Sequence, residues 1–160
     1  MVNTVSKAIL DGWVGKGVSA FCENDFSAPS QNHCAHFVSH VYGMAWGKTC
    51  GSMAAKKKSG GTTIRVHELY NKLRQRGKWD AAPANKNGVL VFLIAAGNVK
   101  HNIMANVSKK HVGIIWGGAV YNFANLEHKV VRDMNVDTFL RRINNTYHEP
   151  SLAMFYGVAQ

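Results

Sequence analysis

Two apolar segments joined by a pair of glycines constrain the fold of this chain more than any other feature. The segments are 111–116, with the sequence HVGIIW, and 119–124, with the sequence AVYNFA, and Gly117-Gly118 lies between them. Glycine is favoured at the central positions of two-residue hairpin turns because those turns need positive φ angles. The pattern therefore predicts a β-hairpin over 111–124.

The rest of the chain places predicted helices before predicted strands. The predicted helices cover 4–13 and 32–42, and a third helix is capped by Thr62 or Thr63 and ended by Gly77. The further predicted strands cover 88–96, 128–133 and 152–158, with a short helix around Phe139 between the last two. This order indicates an α+β fold with a mostly antiparallel sheet. No repeat or long linker divides the chain, so we expect a single domain over 1–160.

The chain is basic, with 19 Lys and Arg residues against 9 Asp and Glu residues and a formal net charge of +10. Such a surface attracts an anionic partner, for example nucleic acid, a membrane surface or an acidic cell-envelope polymer, and Lys56-Lys57-Lys58 is a candidate contact. No apolar stretch reaches the roughly 18 residues of a membrane-spanning helix. Residues 1–10 lack the features of a signal peptide. We therefore expect a protein that is made in the cytoplasm and has no membrane span.

Three cysteines, Cys22, Cys34 and Cys50, cannot all pair with one another, so at least one thiol is free. His36 and His40 lie one helical turn apart, which is a spacing that metal sites use. The Glu of a His-Glu-x-x-His metal site is missing, however, and Cys22 together with Cys34 would be needed to complete a site. We therefore expect no metal and no other cofactor, with His36 on the polar side of its helix.

Cys34 falls in the first turn of the second predicted helix, where unpaired backbone N–H groups favour a thiolate. His111 begins a predicted strand, so its imidazole is expected at the end of the sheet. Acyl transfer by cysteine needs such an imidazole and a third polar group that orients it. Asn122 and Asn125 both follow on the partner strand of the hairpin. We favour Asn122 as the third group, with Asn125 as the alternative.

Three segments carry a resemblance to a known group of enzymes. Residues 34–38 (CAHFV) resemble the Cys-Ser-Gly-Phe-Val block of the papain-like cell-wall hydrolases called NlpC-like and CHAP enzymes. Residues 111–114 (HVGI) are similar to the His-Val-Gly strand of that group, and Asn122 falls where the group places its third polar residue. The resemblance implies a papain-like fold with an N-terminal nucleophile helix packed on the sheet. It also implies a cysteine peptidase or amidase that cleaves an amide bond in peptidoglycan stem peptides or cross-links through a thioester.

The sequence departs from the pattern of that group near the nucleophile. His33 stands where the group has Asp, and no upstream Tyr is found that would lie near the oxyanion. The backbone N–H of Cys34, assisted by Asn32 or Gln31, is therefore expected to stabilise the oxyanion. His33 is expected to border the cleft.

Residues 89–97 (VLVFLIAAG) are reminiscent of amidase effectors that bacteria inject through type VI secretion. This likeness implies a monomeric antibacterial toxin that binds peptidoglycan outside the cytoplasm, after injection or lysis, and is accompanied by a cognate inhibitor (immunity) protein. Two alternatives remain at this point. One is a Cys-His acyltransferase or deamidase that acts on a lipid or a protein. The other is a non-enzymatic basic nucleic-acid-binding module, although stable nucleic-acid binding is not expected because no nucleic-acid motif is present.

Overall fold

The computed structural model describes residues 1–55 and 57–159, so Lys56 of the predicted basic loop lies outside the described residues. The α-helices in this part of the chain are α1 (Lys7–Trp13), α2 (Cys34–Tyr42), α3 (Cys50–Met53), α4 (Val66–Lys72) and α5 (Val136–Tyr147). The strands are β1 (Gln75–Lys78), β2 (Val89–Ala95), β3 (Val99–Lys100), β4 (Ile103–Met104), β5 (Lys110–Trp116), β6 (Ala119–Ala124), β7 (Lys129–Asp133) and β8 (Leu152–Val158). No helix in the two described ranges is both long enough and apolar enough to span a bilayer.

Six of these strands form one sheet in the order β1-β8-β2-β5-β6-β7, and each neighbouring pair is antiparallel. The predicted α+β class with an antiparallel sheet is therefore confirmed. The predicted hairpin is formed by β5 and β6, with Ile114 opposite Tyr121. Gly117 and Gly118 have φ angles of 57° and 79°, which explains why the turn uses glycine at both positions.

The sheet is covered on both faces, and this explains why β2, β5 and β6 are almost continuously apolar. Alternate residues of β5 face opposite sides. Val112 and Ile114 join the larger core cluster, which also contains Phe37 of α2 and Leu69 of α4. Ile115 joins a smaller cluster that contains residues of α5. The fold therefore places α2 on one face of the sheet and α5 on the other.

The structure differs from the prediction around α4 and β1. The third predicted helix, now α4, has Arg65 rather than Thr62 or Thr63 at its N-cap, and it ends at Lys72 rather than near Gly77. Thr63 is instead buried, and its hydroxyl bonds the backbone of Trp46. Strand β1 was not predicted, because its residues Gln75-Arg76-Gly77-Lys78 carry no apolar signal. An edge strand needs no such signal, since pairing with β8 on one side is enough to order it.

Candidate active site

Helix α2 begins at Cys34, the expected nucleophile, and two asparagine side chains bond its start. The Cys34 backbone N–H donates to Asn32 Oδ1 at 3.0 Å, and the His33 backbone N–H donates to Asn125 Oδ1 at 3.0 Å. Both bonds satisfy N–H groups near the helix start, which a helix cannot pair internally. Asn125 therefore bonds the start of α2, and among the described residues no hydrogen bond joins it to His111.

Asn122 is the residue that contacts the imidazole. His111 Nε2 lies 3.1 Å from Asn122 Oδ1. The two residues are diagonal neighbours on β5 and β6, and the β5 residue next to Asn122 is Gly113. A Cβ at Gly113 would lie 3.2 Å from the Asn122 Cβ and 2.6 Å from the Val120 Cγ1. The absence of a side chain at Gly113 thus leaves the room in which the imidazole and the amide meet.

The Asn122 amide is held in one orientation by a partly buried ion pair. Its Nδ2 donates to Asp133 Oδ2 at 2.8 Å, and Arg142 Nη2 donates to Asn122 Oδ1 at 2.8 Å. Arg142 and Asp133 are themselves 2.7 Å apart. With Nδ2 directed to the carboxylate, Oδ1 faces His111 as an acceptor, so His111 Nε2 carries the proton. His111 Nδ1 is consequently the unprotonated nitrogen of a neutral ring.

Tyr147, the last residue of α5, is a further residue of the candidate site. Its hydroxyl lies 3.3 Å from His111 Nδ1, accepts from Asn32 Nδ2 at 3.0 Å and lies 3.1 Å from the Lys110 carbonyl oxygen. Sequence reasoning did not single out this residue. A signal existed, however, because Tyr147 continues the apolar stripe of the predicted helix, four residues after Ile143. The structure thus brings a tyrosine to the site from the end of α5, whereas the sequence shows no counterpart of the upstream Tyr of the group it resembles.

Burial dominates the electrostatics of the site. Cys34 is fully buried, which raises the pKa of its thiol to about 12, although the Val112 backbone N–H and the Lys110 charge act in the opposite direction. Burial lowers the pKa of His111 to about 4, and the hydrogen bond that its Nε2 donates to Asn122 opposes this shift. In this state the site contains a thiol and a neutral imidazole. No hydrogen bond joins the two groups in the described part of the chain, and the group nearest His111 Nδ1 is the Tyr147 hydroxyl, at 3.3 Å.

Two cavities lie next to residues of the candidate site. One, of about 320 Å³, is lined by His111, Arg142 and Tyr147. The other, of about 220 Å³, is lined by Gln31, Asn32, Ile64, Arg65, Val66, Asn106, Ser108 and Lys110. The hydrogen bond between Tyr147 and Asn32 therefore joins residues of the two cavities. A larger cavity of about 810 Å³ lies at Tyr42 and Trp116, the opposite ends of α2 and β5 from Cys34 and His111, and is not part of the site.

His33 does not border the cleft as expected. It is only 2% exposed, and its ring packs against His36 and Phe26 in the core. Its Nε2 lies 2.9 Å from the Ala28 carbonyl oxygen, and its Nδ1 lies 3.1 Å from His36 Nδ1. Gln31, in contrast, does line the smaller cavity. Of the residues expected at the oxyanion, Asn32 is the one whose amide is already directed into the site.

The histidines of α2 belong to a second cluster that the sequence analysis did not expect. The ligating atoms of Cys22, His36, His40 and Cys50 all lie within 4.8 Å of one another. His36 is fully buried rather than on a polar helix face, and the second thiol of the cluster is Cys50 rather than Cys34. These four residues are a donor set that can hold a metal ion, on the opposite side of α2 from the residues that surround Cys34 Sγ.

No family model, curated protein or solved structure matches this chain. The function must therefore be argued from the chemistry of the site itself.

Proposed function

We propose that this protein is a papain-like cysteine hydrolase in which Cys34 is the nucleophile, His111 the general base and acid, and Asn122 the residue that orients the imidazole. The arrangement of His111 and Asn122 carries the proposal. Because Asn122 fixes the proton on His111 Nε2, the other ring nitrogen is available to accept a proton at the end of β5. Cys34 lies beside the same strand, at the start of α2. These are the groups that thiol acyl transfer requires.

In the proposed reaction, His111 Nδ1 takes the proton of the Cys34 thiol as sulfur attacks the carbonyl carbon of an amide. The C–N bond then breaks, and the imidazolium gives its proton to the leaving amine. This step leaves an acyl group on sulfur as a thioester. A water molecule, deprotonated by Nδ1, attacks the thioester, and its proton returns to sulfur through His111. The products are a carboxylic acid and an amine, and the enzyme is regenerated.

Tyr147 must leave His111 Nδ1 before this reaction can begin. The same movement breaks the hydrogen bond that Asn32 Nδ2 donates to the Tyr147 hydroxyl in this structure. Asn32 Nδ2 is then free to donate to the oxyanion that forms on the substrate carbonyl. The Tyr147 hydroxyl therefore occupies the place that a substrate oxygen takes in the proposed reaction.

We further propose peptidoglycan stem peptides or cross-links as the substrate. The smaller cavity contains Arg65 and Lys110 and no acidic side chain among its lining residues. Stem peptides carry carboxylates, so such a cavity favours them electrostatically, as does the net charge of +10. This substrate requires action outside the cytoplasm, as for a toxin delivered by injection or lysis. A producing cell would then need an inhibitor protein.

Digestion of purified sacculi tests the proposal, with mass spectrometry of the released muropeptides. The wild-type protein should produce new amine and carboxyl ends, and Cys34→Ala and His111→Ala should abolish them while circular dichroism stays unchanged. His101→Ala is the matched control, because His101 is an exposed loop histidine. Equal release by Cys34→Ala would exclude the proposed nucleophile. If the wild type releases nothing from sacculi but acylates or deamidates a lipid or protein substrate, the substrate assignment is wrong and the chemistry stands.

A further inference from the structure

We propose that Cys22, His36, His40 and Cys50 bind a structural Zn²⁺ ion. The proposal is independent of the proposed function. Cys22, His36 and Cys50 are buried, and their ligating atoms and that of His40 lie within 4.8 Å of one another. Two thiolates and two imidazoles around one point are a tetrahedral donor set of the kind that zinc prefers.

The separations between ligating atoms fit one shared ion. Zinc bonds of about 2.0–2.1 Å to nitrogen and about 2.3 Å to sulfur, at tetrahedral angles, require about 3.3 Å between two nitrogens and about 3.6 Å between nitrogen and sulfur. His36 Nε2 and His40 Nε2 are 3.2 Å apart. Cys50 Sγ and His40 Nε2 are 3.7 Å apart. These two separations match the spacing that the ion would impose, and every other pair of ligating atoms lies within 4.8 Å.

A hydrogen-bond relay presents the His36 lone pair to the centre of the cluster. The Ala28 carbonyl only accepts, so His33 Nε2 donates to it at 2.9 Å. In the neutral His33 ring, Nδ1 is then an acceptor, and His36 Nδ1 donates to it at 3.1 Å. His36 Nε2 is consequently unprotonated where it faces His40 and the thiols. Zinc-binding histidines are oriented in this way by a partner on the other ring nitrogen.

The Cys50 thiolate also has donors in place. The Thr62 backbone N–H lies 3.4 Å and Asn24 Nδ2 lies 3.6 Å from Cys50 Sγ. The Asn24 amide cannot turn the other way, since its Oδ1 accepts from the backbone N–H groups of Lys58 and Ser59 at 2.7 and 2.9 Å. Donors to a sulfur stabilise its ionised form, which is the form that binds metal.

The backbone of the loop at Gly61 lies very close to Cys50 Sγ. Gly61 has a φ of 72°, and a Cβ there would lie 2.5 Å from Cys50 Sγ and 2.4 Å from the Gly51 nitrogen. On the other side, the ring of Phe21 packs at 5.3 Å from both histidine rings. The ligands are therefore held by packing and hydrogen bonds before any ion binds, as a rigid site requires.

The charges of the zinc ion and its four ligands cancel when the site is occupied. Each of the two thiols releases its proton to solvent as its sulfur bonds the ion, while the two imidazoles bind as neutral rings. The occupied site then carries no net charge, which suits its burial. All four positions have protein ligands, so the ion has no open position for a substrate and its role is structural.

Metal analysis of the protein, produced without an affinity tag and purified under reducing conditions, tests the proposal. We expect one zinc per chain by inductively coupled plasma mass spectrometry. Cys50→Ser and His40→Ala should lose the zinc. Cys34→Ala is the matched control, because it removes the third cysteine, which is outside the cluster, and should retain the zinc in full.

Cobalt substitution gives a test that does not depend on the folding of a variant. Co²⁺ added to the metal-free wild-type protein should give the visible bands of tetrahedral cobalt and the near-ultraviolet absorption of cobalt–thiolate bonds. Absence of these bands, together with absence of zinc in the purified protein, would overturn the proposal. A disulfide between Cys22 and Cys50 in a protein that takes up neither ion, detected as a loss of two hydrogens by mass, would equally overturn it.

Discussion

The hydroxyl oxygen of Tyr147 lies 3.3 Å from His111 Nδ1, the nitrogen that the Asn122 contact leaves without a proton. The same oxygen is bonded to Asn32. Tyr147 therefore links the proposed base to the proposed oxyanion donor, and it belongs to α5, on the far face of the sheet from α2. In this closed arrangement the thiol is shielded from solvent.

Replacement of Tyr147 by Phe should destabilise the protein by about 1–3 kcal/mol, because Asn32 Nδ2 and the Lys110 carbonyl lose a partly buried partner. Urea unfolding measures the effect. Tyr42→Phe is the control, since the Tyr42 hydroxyl makes one bond, to the Gly88 carbonyl at 2.6 Å. A loss no larger than that of the control would contradict the linking role of Tyr147.

Replacement of Asn122 by Ala should lower hydrolytic activity by about 100-fold or more, because His111 loses the group that fixes its tautomer. Muropeptide release from sacculi measures the effect. The matched variant is Asn125→Ala, which removes a helix cap and leaves the His111 contacts in place, so its loss should be much smaller. A larger loss in Asn125→Ala would favour that residue as the third member of the triad.

Stability should fall in acid partly because His111 is buried in its neutral form. Its pKa is lowered from the ordinary 6.5 to about 4, so between these values the unfolded chain binds a proton that the folded chain does not. The contribution is complete above pH 6.5 and is lost as the pH falls towards 4, by an amount that approaches about 3 kcal/mol. The charges nearest the ring oppose each other, since Arg142 lowers and Asp133 raises the pKa.

The difference between the wild type and His111→Gln isolates this contribution from that of the other histidines. Urea unfolding at a series of pH values should give a shallower decline below pH 6.5 for the variant. Parallel curves for the two proteins would show that His111 is charged in the folded state.

Removal of zinc by a chelator should lower the stability of the wild type. An ion whose free concentration is about 1,000 times its dissociation constant stabilises the folded state by about 4 kcal/mol. Loss of that stabilisation on removal of the ion should lower the Tm of a chain of this size by about 10 °C. Differential scanning calorimetry with and without chelator measures the change. Cys34→Ser should respond like the wild type and Cys50→Ser should not respond. A response by Cys50→Ser equal to that of the wild type would place the metal elsewhere.

Two adjacent glycines allow a sharp test of the loop that surrounds Cys50. Gly61→Ala should destabilise by about 2 kcal/mol or more, since φ is positive and the new Cβ meets Cys50 Sγ. Gly60→Ala should be within about 0.5 kcal/mol of the wild type, because no atom lies within 4 Å of the added Cβ. Thermal unfolding of the two variants measures the difference. Equal effects would contradict the described packing.

Local patterns predicted the elements that bear the candidate site. The hairpin of β5 and β6 follows from two nearly continuous apolar segments and the two glycines between them, and helix α2 follows from an apolar stripe that ends at Gly43. Because residues alternate along a strand, the register of that hairpin also placed Asn122 within reach of His111. These predictions depend on residues that are close in sequence.

The groups that sequence reasoning missed are brought together only by tertiary structure. Asp133 and Arg142 reach Asn122 from a strand edge and a helix. Cys22 and Cys50 come from segments outside regular strands, so only the spacing of His36 and His40 was visible as a metal signal. No pairwise spacing in the chain encodes the loop path that places Cys50 Sγ beside His40. Long-range placement of this kind follows from packing of the whole core.

The contact between Arg142 and Asn122 has a consequence for the order of events during synthesis. Cys34 leaves the ribosome more than 100 residues before Arg142, and the imidazole is aligned only when α5 has docked on the sheet. A nascent chain therefore holds its thiol without an aligned base until late in translation. If the chain is a hydrolase, it becomes active in the producing cell only after the last helix has folded.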